Sequence, residues 1–269
     1  MPSNPQKLLK IGQPSPSRHW PDYVQEYGLT SADIPELIHL FSDAAIRKSR
    51  PSTRKFWTPV HAWRALGQLQ ASAAVAPIIS QFDQMEGDDY AIEEICKVLG
   101  MIGEPALAPA AIVFHDSQQR EFARILAMDA LAEIARQHPL LKAEVVTHFS
   151  RYLQNATATA PGLNSLLIMH LADLGAHELW PAIQPLYDNG WVDLSMIDRE
   201  DAEIEFGLRD ERETPRQRHG VHESLPRPEG DDVDALTILE YYLDKYGDDD
   251  ALITAPELDG FFAALACAP

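Results

Sequence analysis

Leucine, small and aliphatic positions recur in the same order along the middle of the chain. In four segments a leucine is followed by glycine or alanine, and an aliphatic residue comes two positions later. The leucines of these segments, at spacings of 33, 32 and 40 residues, are Leu66, Leu99, Leu131 and Leu171. A period of this length is typical of a two-helix unit, so the pattern predicts stacked antiparallel helix pairs. A small residue such as Gly67 would let the next helix approach closely.

A glycine and a proline follow two of these segments at equal distances. Gly103 and Gly175 come directly after the aliphatic residue, and Pro109 and Pro181 each fall seven residues after it. Glycine suits the end of a helix and proline suits the first turn of the next one. The spacing therefore predicts a proline-led second helix in each unit, and the third unit departs from it by using Pro139.

Upstream of the repeats the pattern predicts a cap. Apolar residues recur at helical spacing over 32–46, and Thr30 with Asp33 gives a capping-box signature in front of them. We divide the chain into five parts. These are a flexible leader (1–18), N-terminal capping helices (19–57), about four repeats (58–197), an acidic proline-containing linker (198–232) and a C-terminal helical pair (233–269).

The Leu-Gly-x-Leu/Ile helix followed by a proline-led helix resembles the HEAT-like repeats of the phycobilisome-lyase type, over about residues 58–194. This resemblance implies an all-α fold: a HEAT-like α-solenoid, in which antiparallel helix pairs form a right-handed superhelix, with C-terminal helices added. The stretch 187–205 resembles the tail of some uncharacterised bacterial HEAT-type proteins, where an acidic stretch follows the last repeat. Because a superhelix offers an extended groove, the resemblance favours a binding function.

The last residues resemble a second family. Residues 257–269 read ELDGFFAALACAP and follow a predicted helix at 233–246. They are similar to the start of the YecA-like family of small bacterial helical proteins, in which a Leu-Asp-Gly-aromatic helix ending in proline begins the domain. The native chain either continues past Pro269 or ends on this helix. An apolar terminal helix needs a cover, so self-association through it is one expectation.

The net charge of the chain disfavours one class of partner. The chain has 22 Lys and Arg against 41 Asp and Glu, a formal net charge of −19, whereas phosphate-backbone binding needs a surplus of cations. Nucleic acid is therefore disfavoured as a partner. No apolar run approaches the roughly 20 residues of a membrane helix, no secretory leader is evident, and two cysteines are too few for a disulfide framework. We expect a cytoplasmic protein that does not bind membranes.

Cations and aromatic residues concentrate in one window. No Asp or Glu occurs over 44–82. The residues that we define as the basic-aromatic patch are Arg47, Lys48, Arg50, Arg54, Lys55, Trp57, Trp63 and Arg64. The patch predicts a docking site for an acidic or carboxylate-bearing protein or peptide, with Trp57 and Trp63 as anchors. Two alternatives stay open: the acidic linker folds back on the patch, or its charges are simply solvated.

Two histidine motifs are the candidates for metal chemistry. His219 and His222 precede Glu223 at a spacing compatible with metal ligands, but they lie in the proline-containing linker with a glycine between them. HEAT-like repeats carry a di-iron site in deoxyhypusine hydroxylase through His-Glu pairs at matching repeat positions. His177-Glu178 and His222-Glu223 are not at equivalent positions, so the resemblance assigns no such site here.

Two further HEAT-like activities find little support in the residues. The patch partly resembles the base-binding face of alkylpurine DNA glycosylases, but the acidic remainder of the chain disfavours that class. No residue is assignable to bilin lyase chemistry. We therefore predict a non-catalytic protein-binding scaffold or adaptor without catalytic residues, metal or cofactor. The alternative is a metal- or cofactor-dependent HEAT-repeat enzyme of the hydroxylase or lyase type.

Overall fold

The structure, a computed structural model, describes residues 3–14 and 20–215. Every regular element in this part of the chain is helical and none is a strand, which confirms the all-α prediction there. The α-helices are α1 (Tyr23–Tyr27), α2 (Ile34–Ser42), α3 (Ala44–Arg47), α4 (Thr58–Gln68), α5 (Val75–Ile79), α6 (Asp89–Ile102), α7 (Glu104–His115), α8 (Glu121–Gln137), α9 (Lys142–Leu153), α10 (Pro161–Asp173), α11 (Trp180–Asp188) and α12 (Arg199–Glu205). Short 3-10 helices lie between several of them.

Alternate helices contact each other in order along the chain. Helix α4 packs against α6, α6 against α8, and α8 against α10. The intervening helices α5, α7, α9 and α11 also contact one another in sequence order. Ahead of them, α2 packs against α4. The described residues therefore form a helical, repeat-like arrangement, as the leucine spacing predicts.

The repeated small and leucine positions form the contacts between these helices. All four repeat leucines are fully buried. A methyl group added at Gly67 would lie 3.1 Å from Met101 Sδ, and one added at Gly100 would lie 3.0 Å from Glu133 Cβ. Both distances are shorter than an ordinary van der Waals contact, so the glycines permit the close approach of successive helices.

The N-terminal segment is packed. Residues Pro5–Lys10 form a 3-10 helix whose Leu8 is fully buried. Beyond this helix, the carbonyl oxygen of Gly12 lies 2.7 Å from Nε2 of the buried His61. The prediction of a flexible leader over 1–18 is therefore wrong for this segment. Its apolar side chains pack in the core, and its backbone forms a hydrogen bond with a buried side chain.

The capping region contains a break that the periodicity did not predict. The expected single helix over 32–46 is divided into α2 and α3. Asp43 is extended between them, with φ −69° and ψ 107°, and its carboxylate accepts a hydrogen bond of 2.7 Å from the Ala45 amide. An aspartate that caps a new helix start ends the preceding helix, although the apolar spacing continues across it.

The junction between α6 and α7 also differs from prediction. Gly103 has a φ of +78° and reverses the chain so abruptly that α7 begins at the next residue, Glu104. Pro109 therefore lies inside α7 and not in its first turn, which corrects the prediction for that proline. Pro181 does lie in the first turn of α11, as predicted.

The start of the predicted linker is folded. Helix α12 begins after Asp198, whose carboxylate accepts a 2.9 Å hydrogen bond from the Asp201 amide. Phe206 is buried, with its ring centroid 5.4 Å from that of Trp180. The remaining linker and the predicted C-terminal helical pair, 233–269, lie outside the described residues. Within the described part, no helix combines the length and apolar character that crossing a membrane requires.

Candidate functional site

Two residues of the basic-aromatic patch are core residues. The exposed fractions of Trp63 and Arg64 are 3% and 2%. Arg64 Nε donates to Glu94 Oε2 at 2.7 Å, its Nη2 donates to Glu94 Oε1, and Trp63 Nε1 donates to Glu94 Oε2 at 2.9 Å. The Glu94 carboxylate on α6 therefore accepts hydrogen bonds from both the Arg64 guanidinium and the Trp63 indole. Arg64 is unavailable to a partner, which corrects its assignment to an exposed docking surface.

An aromatic ring packs over the guanidinium of the Arg64–Glu94 pair. The Arg64 guanidinium carbon lies 5.1 Å from the centroid of the Trp20 ring. Although burial disfavours the charged guanidinium, hydrogen bonds and charge attraction from Glu94 raise the pKa of Arg64. Sequence reasoning missed Glu94. The sequence does contain a sign of its burial, because Glu94 lies on the same face of α6 as the buried residues Ala91 and Ile95.

A cavity of about 490 Å³ lies where the patch meets the start of α6. We call it the patch cavity. Its aromatic walls come from four elements, α2, the 3-10 helix before α4, α4 and α6, and the residues are Phe41, Phe56, Trp57, Trp63 and Tyr90. The Trp57 and Tyr90 centroids are 5.3 Å apart at 71°, an edge-to-face arrangement. A concave aromatic lining of this kind suits an apolar side chain.

One guanidinium lines the same cavity. Arg47 is half-buried, and its Nη1 and Nη2 donate to Gln84 Oε1 and to the Ser42 carbonyl, both at 3.3 Å. It forms no ion pair with any carboxylate in the described residues. Asp88 also lines the cavity, but its carboxylate accepts a 3.1 Å hydrogen bond from the Ala91 amide as the cap of α6. Arg47 is therefore a cation at the cavity wall whose charge no carboxylate of the described residues neutralises.

The other cations of the patch lie away from the cavity. Lys48, Arg50, Arg54 and Lys55 are exposed and do not line it. Arg54 Nη1 donates to the Lys10 carbonyl at 3.5 Å. The structure thus brings Arg47, Trp57 and Trp63 together and leaves these four cations on the surrounding surface.

The fold-back alternative finds no support in the described part of the linker. Over 198–215, Asp198 binds Arg212 at 2.7 Å and Glu203 binds Arg209 at 2.9 Å. These carboxylates pair locally and not with the patch. The rest of the linker lies outside the described residues.

A second cavity, of about 840 Å³, lies between α7, α8 and α9. We call it the histidine cavity, because His115 Nε2 and His148 Nδ1 lie 3.3 Å apart at its wall. Arg124 and Arg151 also line it. The two histidines are 33 residues apart, close to the 32 residues that separate Leu99 from Leu131 in the same two units. A spacing near the repeat period was the sequence signal, since neighbouring units stack side by side.

Comparison with known proteins identifies a family. Residues 31–227 match the family described as "Protein of unknown function (DUF1186)". The chain belongs to the DUF1186 family. The matched residues include both cavities. No curated protein and no solved structure matches the chain.

The DUF1186 match does not identify a HEAT, lyase or YecA-like family, so these resemblances stay hypotheses. In the described residues, no group of three or more His, Cys, Asp and Glu side chains is placed to hold a metal ion. His177 packs edge-on against Phe206, with centroids 5.8 Å apart. His219 and His222 lie outside the described residues.

Cys96 lies in the core of this DUF1186 chain. It is buried, and its Sγ lies 3.3 Å from the Leu126 carbonyl oxygen. Burial raises the pKa of the thiol well above its usual value, with Asp129 and Glu133 adding to the effect. A buried neutral thiol is a poor nucleophile, so Cys96 is a core residue and not a reactive one.

Proposed function

We propose that this DUF1186 protein is a cytoplasmic, non-catalytic scaffold or adaptor that binds a segment of a partner protein in the patch cavity. An apolar side chain of the partner enters the patch cavity and packs against Trp57 and Tyr90, and an adjacent carboxylate binds Arg47. The alternate-helix contacts support the further proposal that the helix pairs form a right-handed HEAT-like α-solenoid, whose groove extends the contact surface.

The observation that carries this proposal is the combination of aromatic walls and an available guanidinium. The ring centroids of Phe41 and Trp63 lie 6.3 Å apart at 74°, and Trp57 Nε1 donates to the Pro51 carbonyl at 3.2 Å. These contacts fix the cavity walls before a partner arrives. Pre-organised aromatic and arginine side chains are the groups that contribute most to protein–protein binding.

The charge around the cavity selects an acidic segment. The chain as a whole is strongly acidic, yet Arg47 lies at the cavity and the exposed Lys48, Arg50, Arg54 and Lys55 lie in the same stretch of chain. An acidic segment would gain attraction here and meet repulsion elsewhere on the surface. We therefore expect the bound segment to carry Asp or Glu next to an aromatic or large aliphatic residue.

Site-specific cross-linking in the native host tests this. Phe56 lines the cavity and Lys55 beside it does not, so p-benzoylphenylalanine placed at each position gives a matched pair. We expect position 56 to cross-link one partner through a segment with the stated composition. Position 55 should give far less of that product.

Two variants establish that the cavity is responsible. Trp57→Ala and, separately, Arg47→Glu should each lower the cross-linked product by about tenfold or more. Arg54→Glu changes charge equally on an exposed residue outside the cavity and should leave most of the product. Equal product in all variants, or a cross-linked segment without acidic residues, would contradict the proposal.

No observation in the described residues favours the hydroxylase or lyase alternative. The patch cavity provides aromatic surface, one guanidinium and one helix-capping carboxylate, which suit binding better than bond making. The scaffold proposal is therefore the function that this site supports best.

A further inference from the structure

The histidine cavity has two unlike walls. On one side, α7 presents Leu107, Ala111 and Ile112, and the Ile112 side chain is 71% exposed. On the other side, α8 and α9 present polar and charged side chains, which include Arg124, Arg151 and the exposed carboxylate of Glu144. A volume of about 840 Å³ is within the range of small-molecule sites. A ligand that fits both walls has an apolar body and a charged head.

The histidine pair shares one hydrogen bond. His115 ends α7 and His148 lies in α9, and their facing nitrogens are 3.3 Å apart. One of these nitrogens must donate an N–H group, and the other must accept the hydrogen bond. His115 Nδ1 and His148 Nε2 have no hydrogen-bond partner in the described residues. Both outer nitrogens are therefore available for a further donor–acceptor contact.

The two arginines of this cavity lack carboxylate partners. Arg124 Nε donates to the Phe114 carbonyl at 3.1 Å, and its guanidinium carbon lies 5.6 Å from the Tyr152 ring centroid. Arg151 lies exposed in the last turn of α9. Neither forms an ion pair within the described residues, unlike Arg136, which binds Glu133 at 2.8 Å. In a chain with 41 acidic residues, two such arginines at one cavity indicate an anion site.

The charges around the histidines come from α8 and α9. Burial lowers the pKa of His115, and His148, Arg151 and Arg124 lower it further. Burial and Arg151 also lower the pKa of His148, whereas Glu144 opposes this change. The imidazoles are thus mainly neutral near pH 7, and an anion that offsets the arginine charge would favour their protonation.

We propose that the histidine cavity binds a small organic phosphate monoester, with its dianionic phosphate held by Arg124, Arg151 and the His115–His148 pair. The apolar part of the ligand lies against α7. Two guanidiniums and a protonatable pair match a dianion better than a single carboxylate, and arginine binds phosphate through paired donors. Binding takes up a proton at the histidine pair. This site is independent of the patch cavity.

Calorimetric titration of the full chain with phenyl phosphate tests the site at pH 7, where this probe is already mostly dianionic. We expect saturable binding that Arg151→Gln weakens by about tenfold or more. Arg120→Gln is the matched control, because Arg120 is exposed, pairs with Glu86 and does not line the cavity. No binding at millimolar probe, or equal affinity in Arg151→Gln, would overturn the proposal.

Two comparison probes identify the recognised groups. Benzoate should bind about tenfold or more weakly than phenyl phosphate, because it carries one charge fewer. Inorganic phosphate should also bind more weakly, because it has no apolar part to cover Leu107 and Ile112. Equal binding of benzoate would refute the phosphate assignment, and equal binding of inorganic phosphate would refute the role of α7.

Proton uptake tests the histidine pair separately. Titrations in buffers of different ionisation enthalpy report the number of protons taken up on binding. We expect net uptake at pH 7 in the unmodified protein and little uptake in His148→Asn. Uptake that is absent in the unmodified protein, or unchanged in the variant, would remove the histidines from the site.

Discussion

The region around α4 and α6 and the region around α7 and α9 use arginine in opposite ways. In the first, Arg64 is buried and forms two hydrogen bonds with the Glu94 carboxylate. In the second, Arg124 and Arg151 line an open cavity without a carboxylate partner among the described residues. The first arrangement fixes the wall of the patch cavity, and the second leaves charge for a ligand. Similar helix packing therefore supports both a structural and a binding use of the same side chain.

The largest expected effect is the loss of the buried carboxylate. Glu94→Ala would leave Arg64 and the Trp63 indole without their partner inside the core, and it should lower the free energy of unfolding by about 3–5 kcal/mol. Urea denaturation followed by circular dichroism measures this. Glu144→Ala in the histidine cavity removes an exposed carboxylate and should change stability by at most about 0.5 kcal/mol. Similar losses for both variants would erase the contrast between the regions.

The next effect concerns the connection between the two regions. Gly103 joins α6 to α7 at a φ of +78°, and a methyl group there would lie 2.6 Å from His138 Nε2. Gly103→Ala should therefore cost about 1–3 kcal/mol. Gly190 has a φ of +69° with open space around it, so Gly190→Ala isolates the backbone cost, about 1 kcal/mol. A smaller loss at Gly103 than at Gly190 would show that this junction is not tightly packed.

Acid should weaken the first region through a buried histidine. Burial lowers the pKa of His61 below the value of about 6.5 that it has when unfolded. Below pH 6.5 the unfolded chain therefore binds a proton that the folded chain does not, and stability falls as the pH decreases from 7 to 5. Unfolding titrations at these pH values measure the slope. His61→Gln should flatten this slope, and an unchanged slope in that variant would contradict the assignment to His61.

The smallest expected effect is on the stability of the histidine cavity, where Arg151 is proposed to bind a ligand and not to stabilise the fold. Arg151→Gln should leave the free energy of unfolding within about 0.5 kcal/mol, because Arg151 is exposed and has no partner to lose. Thermal unfolding followed by circular dichroism measures it. A loss above about 1 kcal/mol would assign Arg151 a structural role.

The sequence pattern correctly predicts structural features that depend on neighbouring residues or on the repeat, such as the burial of a side chain or a helix cap. The four repeat leucines are buried as the spacing requires, and Asp33 accepts a 2.8 Å hydrogen bond from the Thr30 amide as the capping signature predicts. The sequence assigns Trp63 and Arg64 to a docking patch because cations and aromatic residues concentrate in one window, but both residues are buried. Their partner, Glu94, belongs to the next helix pair, so its proximity to Arg64 follows from tertiary packing and not from local pattern.

The candidate sites were predictable to different degrees. Charge and aromatic composition identify Arg47 and Trp57, which the structure places at one cavity. Composition does not identify the histidine cavity, because His115 and His148 are far apart in the sequence and unremarkable alone. Their register in successive units is informative only once the helix pairs are aligned.

The short separation between Arg64 and Glu94 matters during synthesis. The two residues are 30 positions apart, and both lie in helices that contact each other directly. At about 5–20 residues per second, the ribosome adds the carboxylate roughly 2–6 seconds after the arginine. The arginine and its carboxylate therefore enter the chain within seconds of each other, and neutralising the charge of Arg64 requires no residue beyond α6.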